Sequence, residues 1–239
     1  MNAEILLIIM LSLMVFNYLF STILNYINDK NWKEDIPENM KEFYSKEAYE
    51  KARNYAKEKG KVGLISSTLS FLMTSLLLYF YGFGWVSDAI ILYLPEENSS
   101  LFSYHLLHTG TFFLVFFVSS DLISIPFSCY TIFVIEEKYG FNKTTLKTYI
   151  LDKIKGYLLT LVLGGGVLTG VLFITTKLSD GFWIWLWIGL GGLMMLINMF
   201  YADVIVPIFN KLTPLEEGSL REKIENYSKK VGYSLKNIF

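Results

Sequence analysis

The chain has 239 residues; 53% are hydrophobic, 17% aromatic and only 18% charged, and the formal net charge is −1. An ordinary soluble domain carries more charge than this, and the lack of a basic excess excludes nucleic acid as a partner. A single cysteine, Cys129, rules out an internal disulfide and leaves the redox compartment open.

Five uncharged runs reach the roughly 20 apolar residues that a bilayer crossing needs. They lie at Ile5–Leu24, Val62–Tyr81, Leu101–Ser120, Gly156–Thr175 and Gly181–Ala202. The first is too long for the apolar region of a cleaved signal peptide. It has no lysine before it and no small-residue cleavage site after it, so it reads as an anchor with its N-terminus outward. Between the first two runs, residues 29–61 form a charged loop with helical signals. Pro37 suits a first helical turn, and Ser45 an N-cap. Ala48, Ala52, Tyr55 and Ala56 recur at helical spacing, Glu47 and Lys51 pair four apart, and Gly60 is placed to end the helix.

Gly82–Leu94 is apolar but short, which fits an interfacial or re-entrant segment. The third run stays apolar beyond Asp121 as far as Ile135, broken only by Pro126, so the whole stretch reads as one long tilted helix that projects beyond the membrane or holds Asp121 inside it. The fourth carries Gly164, Gly165, Gly166 and Gly170, and the fifth Gly189, Gly191 and Gly192. Small residues of this kind let membrane helices approach closely. Beyond Pro207, Thr213-Pro-Leu-Glu216 has the form of a capping box. It predicts a soluble helix of about five turns, at about 3.6 residues per turn, with Leu220, Ile224, Tyr227 and Val231 on one face. Lys229 and Lys230 fall in its last turn and Gly232 at its end.

The charges fix an expected topology. Residues 29–61 hold nine Lys and Arg, residues 121–155 five, and the tail from Asp203 six; only Lys177 lies elsewhere. Positive loops stay cytoplasmic. The reading is an all-α polytopic membrane bundle of five transmembrane helices, N-terminus out and C-terminus in. Residues 1–209 form the membrane domain, residues 29–61 a cytoplasmic helical loop, and residues 210–239 the start of a cytoplasmic domain.

Few residues carry chemistry on their own. His105 and His108 make an H-x-x-H pair at the outer end of a run, two ligands short of a zinc site. Glu136 and Glu137 are adjacent, so they point apart and form no ready acid/base pair. Asp121 and Asp203 are carboxylates that a transporter would use if they lay within spans. Asn98-Ser-Ser100 matches a glycosylation pattern on the outward side. There is no P-loop, no G-x-G-x-x-G and no serine–histidine–aspartate pattern.

Two blocks go further. Leu122–Asp152, centred on Phe133-Val-Ile-Glu-Glu-Lys-Tyr-Gly-Phe-Asn142, and Tyr201-Ala-Asp-Val-Ile-Val-Pro-Ile-Phe-Asn-Lys-Leu-Thr-Pro-Leu215 resemble the type I CAAX prenyl proteases. The order and spacing of the runs fit as well, so the resemblance covers essentially the whole chain as the N-terminal membrane half of such a protein. It implies an intramembrane chamber and a following half that carries H-E-x-x-H, a later glutamate ligand and two more spans. In that family zinc polarises the scissile carbonyl and the motif's glutamate activates water. With two histidines three apart, this sequence has no H-E-x-x-H. No catalytic residue and no metal ligand are therefore assigned here, and zinc is expected only of the full-length family.

What the resemblance carries over is support. Glu136, Glu137, Gly140, Phe141, Asn142, Asp203, Pro207, Asn210 and Pro214 are candidates to line the substrate chamber or dock the catalytic domain. Gly140 and Asn142 suit a turn and an N-cap before a helix over Thr144–Ile154. The expected partners are the lipid bilayer, a catalytic half from the same gene or a separate chain, and prenylated or membrane-bound peptides. The alternatives are an inert membrane scaffold that binds lipopeptides and, behind it, a small transporter using Asp121 or Asp203. The expected location is a bacterial cytoplasmic membrane, with the endoplasmic reticulum as the alternative.

Overall fold

The first four apolar runs fold as helices longer than the runs themselves, and the fifth as a shorter helix continued by a wide turn. The computed structural model describes residues 2–32, 35–38, 41–94, 101–178, 181–235 and 237–239. Asn98-Ser-Ser100 lies outside them. The helices are α1 (Ala3–Asn31), α2 (Lys46–Tyr79), α3 (Gly82–Tyr93), α4 (Leu101–Tyr130), α5 (Leu146–Lys177), α6 (Phe182–Phe200), α7 (Val206–Phe209) and α8 (Ser219–Val231). Two widened, π-helical turns join this series: Thr131–Glu136 continues α4, and Tyr201–Ile205 links α6 to α7. No strand occurs among the described residues.

Five helical stretches are long and apolar enough to cross a membrane: Ala3–Asn31, Lys46–Tyr79, Phe102–Glu136, Leu146–Lys177 and Phe182–Phe209. The 29 residues of α1 span about 43 Å at about 1.5 Å per residue, enough for hydrocarbon and headgroups together. The apolar windows of all five are unburied within the chain. Phe16, Trp187 and Met195 expose 64%, 78% and 77% of their surfaces. Apolar exposure on this scale is incompatible with water and natural against lipid tails.

The chain divides into two compact units, Met1–Leu146 and Lys147–Phe239. In the first, α1 and α2 pack antiparallel. Tyr18 donates to or accepts from Thr68 at 2.8 Å, its ring stacks on Phe71 at 4.4 Å, and Trp32 stacks on Tyr49 at 5.9 Å. α3 and α4 also run antiparallel, with Phe83 between Phe112 and Phe116, at 6.5 and 4.8 Å. In the second unit, Lys155 lies 6.0 Å from the Phe209 ring, and a side chain at Gly189 would meet Ile174 at 4.0 Å. α6 therefore folds back along α5.

Several expected boundaries move. Gly60 does not end a helix: the loop helix and the second run are one 34-residue helix, α2. A glycine inside a helix costs only about 1 kcal/mol relative to alanine, and the good helix formers on both sides of it carry the helix through. The N-cap at Ser45 is present, its Oγ accepting from Ala48 N at 3.2 Å. Pro126 lies inside α4 without breaking it, so the long-helix reading of the third run holds. The segment after Asn142 begins at Leu146 and is continuous with the fourth run.

The capping box at Thr213–Glu216 is not used. α8 starts at Ser219 without a side-chain cap and has 13 residues, shorter than the five turns expected. Leu215 N instead donates to Ile238 O at 2.9 Å, and Arg221 Nη1 to Leu215 O at 2.7 Å. These bonds hold the would-be first turn in a non-helical path. Gly232 does end α8, with φ +70°. Among the described residues a side chain at Gly165, Gly166 or Gly170 would meet nothing within 4 Å, so none of them closes on that small-residue stripe.

Candidate functional site

The side chains converge where the end of α4 lies against the polar half of α2. The reason is local. At Thr131–Glu136 the α-helix widens by one residue per turn, which shifts the face presented by Ile135 and the residues after it. Ile135 is 1% exposed and Tyr139 7%, the two most buried hydrophobic residues described.

The helix then ends in a tight reversal. Tyr139 N donates to Ile135 O at 3.1 Å and Gly140 N to Glu137 O at 3.0 Å. Glu136 O accepts from both Phe141 N, at 2.8 Å, and Asn142 N, at 3.2 Å. Gly140 takes φ +74°, a left-handed conformation that any side chain would strain. Asn142 Oδ1 accepts from Thr144 N at 2.7 Å and its Nδ2 donates to Glu137 Oε2 at 3.0 Å. Asn142 thus closes a turn rather than capping α5, which starts four residues on.

The reversal is clamped to α2 by two crossed ion pairs around an aromatic cluster. Lys138 Nζ and Tyr139 OH both donate to Glu58 Oε1, the phenol at 3.1 Å. Lys59 Nζ lies 3.5 Å from Glu136 Oε1, and Tyr55 OH donates to the same oxygen at 3.4 Å. The Tyr55 ring meets Tyr139 and Phe141 edge-on at 5.5 and 5.0 Å, and Lys51 lies 5.6 Å from the Phe141 ring centre. The hydrogen bond to Glu58 holds the Lys138 ammonium charged beyond the usual lysine range. Burial, and then the Glu58 bond, push the Tyr139 phenol up. Beside this clamp, α2 and α4 border an open groove of about 640 Å³.

Glu136, Glu137, Gly140, Phe141 and Asn142 therefore share one reversal, with Glu136 and Glu137 facing different partners. Asp203, Pro207, Asn210 and Pro214 belong to the second unit. Asp203 is exposed in the wide turn Tyr201–Ile205, Pro207 lies in the first turn of α7, and Asn210 N caps that helix through Val206 O at 2.9 Å. Pro214 borders a concavity of about 430 Å³ beside Arg221 and Glu225. The sequence reading missed Tyr55, Glu58, Lys59 and Tyr139. The usable signal was Tyr55 and Lys59, four apart on the helical face that also holds Ala52 and Ala56.

The zinc implied by the resemblance has no ligand set among the described residues, where no three His, Cys, Asp or Glu residues come together. His105 and His108 share one helix, and His108 Nε2 is engaged with Ser87 Oγ at 3.1 Å. Asp121 is half-buried on α4. The residues present do not fit a catalytic metal, and no chemical step is drawn through one.

Comparison with known proteins places this architecture. Residues 25–211 match the family model described as the CAAX prenyl protease N-terminal region with five membrane helices. The CAAX prenyl protease 1 homologues of Oryza sativa subsp. japonica and Arabidopsis thaliana are each 34% identical to the chain, over 235 and 232 residues. These alignments cover 96% and 95% of this chain, and 54% and 53% of the relatives. The Homo sapiens homologue is 30% identical over 230 residues, 93% of this chain and 47% of its own. The crystal structure of S. mikatae Ste24p matches with a TM-score of 0.83 at 29% identity, covering 98% of this chain and 54% of that one. The chain spans about half the length of the curated relatives it matches. These relatives come from plants, animals and fungi, which overturns the bacterial cytoplasmic membrane as the expected location. The chain belongs to the CAAX prenyl protease family and carries that family's five-helix N-terminal membrane region.

Proposed function

We propose that this chain is the membrane half of a zinc metalloendopeptidase that processes prenylated or membrane-bound peptides. It builds part of an intramembrane chamber and has no proteolytic activity of its own. The single observation that carries this is a family match across five membrane helices in a sequence with no H-E-x-x-H. In this reading zinc and the general base come from a catalytic half, carried by the same gene or by a separate chain. The reversal at Glu136–Asn142 and the segment from Asp203 to Pro214 are the surfaces that brace that half or the substrate entrance.

The charge pattern supports an orientation with the N-terminus outside and the C-terminus in the cytoplasm. The endoplasmic reticulum is the membrane proposed for it. Labelling of single cysteines introduced at Asn2 and at Ser234, in sealed microsomes, checks the orientation.

The decisive assay co-purifies the chain with the zinc-bearing half of a relative and measures cleavage of a farnesylated peptide. Cleavage by the mixture, abolished by chelation and absent with either half alone, supports the proposal. Cleavage by this chain alone overturns it. Tight lipopeptide binding without cleavage by the mixture moves the assignment to the inert scaffold.

A further inference from the structure

Two helices change character at the same level. In α2 the charged stretch Lys57-Glu-Lys-Gly-Lys61 gives way to the apolar run from Val62. On the other wall, α4 and its wide turn pass from apolar Pro126 and Phe127 to the charges of Glu136–Lys138. Where the changes meet, the 640 Å³ groove has a polar end at Glu58, Lys61 and Lys138 and an apolar end at Ile65, Pro126 and Phe127.

The polar end is not neutral. It holds two ammonium groups and one carboxylate. Lys138 is committed to Glu58, while Lys61 contributes only a longer-range attraction to that carboxylate and forms no ion pair among the described residues. One positive charge is left over, on an exposed side chain at the end of an apolar run. That is the depth at which phospholipid phosphates lie. A small soluble anion would use only the polar end of this groove, and a neutral lipid only the apolar end. A ligand with a net negative phosphodiester headgroup and a long acyl chain matches both.

We infer that the groove holds an anionic glycerophospholipid, its phosphate on Lys61 and an acyl chain along Ile65, Pro126 and Phe127. The site is separate from the proteolysis proposed above and does not depend on it. A lipid seated there wedges between α2 and α4 directly beside the Glu58–Lys138 clamp, so occupancy and docking of the reversal reinforce each other.

The test is native mass spectrometry of the full chain in a neutral detergent. Dioleoylphosphatidylserine, dioleoylphosphatidylcholine and inorganic phosphate are titrated separately and then against one another. One basic residue near the surface contributes about 1 kcal/mol toward anionic lipid, equivalent to a preference of about fivefold for phosphatidylserine. Lys61→Gln should abolish the preference and Lys61→Glu should reverse it. Lys46→Gln, about 22 Å away along α2 at about 1.5 Å per residue, should leave it unchanged. Phe127→Ala should weaken retention of both lipids. Equal retention of the two lipids by the unmodified chain overturns the proposal without recourse to any variant. Displacement of phosphatidylserine by an equal concentration of inorganic phosphate overturns it in favour of a small-anion site. An effect of Lys46→Gln as large as that of Lys61→Gln overturns it in favour of diffuse surface attraction.

Discussion

Replacing Ile135 tests what holds the reversal against α2. The side chain is 1% exposed in the wide turn Thr131–Glu136. Truncating a buried isoleucine to alanine costs about 2–5 kcal/mol, the spread reflecting how far the site collapses. Ile135 borders the open groove, so neighbours and lipid relieve part of the cavity, and about 2–3 kcal/mol is expected. The competing contribution is the Lys59–Glu136 pair, at 3.5 Å with side chains 43% and 26% exposed. Such partly solvated pairs contribute roughly 0.2–1 kcal/mol. Packing should therefore outweigh this ion pair at least twofold. The readout is hydrogen exchange at the amides of Tyr139 and Phe141, which donate to Ile135 O and Glu136 O. If local opening governs exchange, Ile135→Ala should accelerate both by about 30- to 150-fold, since about 1.4 kcal/mol is tenfold. Ile135→Val should give about 2- to 12-fold and Glu136→Gln at most about fivefold. The reasoning fails if Glu136→Gln equals Ile135→Ala, or if Ile135→Ala changes exchange by less than about threefold.

Gly140→Ala meets no steric wall, because its Cβ would lie 4.0 Å from Lys51 Nζ. The cost is that of the left-handed backbone alone, about 1 kcal/mol, read as faster proteolysis between Glu137 and Thr145 with Gly140→Asn less affected. Ser45→Ala removes the cap on α2 and should cost about 1 kcal/mol, seen as faster amide exchange confined to the first turn near Ala48. Lys138 and Tyr139 both have raised folded-state values, so their contribution is full below the ordinary lysine and tyrosine values and lost as pH rises through the folded ones. Exchange at Phe141, corrected for intrinsic base catalysis, should stay flat from neutral pH to about 10 and rise above it. In Glu58→Gln exchange should already be faster at neutral pH and rise less above about 10, and a rise as large as in the unmodified chain would contradict the assigned partner.

The helices were legible because lipid leaves a plain mark on sequence: uncharged runs of bilayer length, with lysines gathered between them. The ends of helices were legible where one residue decides them, as at Ser45 and at Gly232 with φ +70°. Reading failed where tertiary contacts or cooperativity override a local signal. Gly60 and Pro126 look like punctuation, yet each costs less than breaking a long helix whose polar backbone must stay satisfied. Thr213 and Glu216 look like a capping box, but Arg221 and Ile238 take the backbone groups of Leu215 first. The clamp was hidden for a different reason. Tyr55 and Glu136 are 81 residues apart, and no periodicity links positions on separate helices.

The wide turns explain why the most recognisable blocks are where they are. Thr131–Glu136 lies inside the block Leu122–Asp152, and Tyr201–Ile205 opens the block Tyr201–Leu215. Each turn sits at the end of a long apolar helix and carries one acid, Glu136 or Asp203. A π-helical turn is a poor backbone geometry that persists where surrounding contacts repay it, and it is frequent at functional sites. In the first turn those contacts are visible: Ile135 packed, Glu136 held by Tyr55 and Lys59, and Gly140 closing the reversal. A sequence that must specify such a turn has less freedom than one that only has to be apolar. The membrane runs admit many side chains of similar hydrophobicity. The two turns admit few, so they are where a sequence can mark this architecture most sharply.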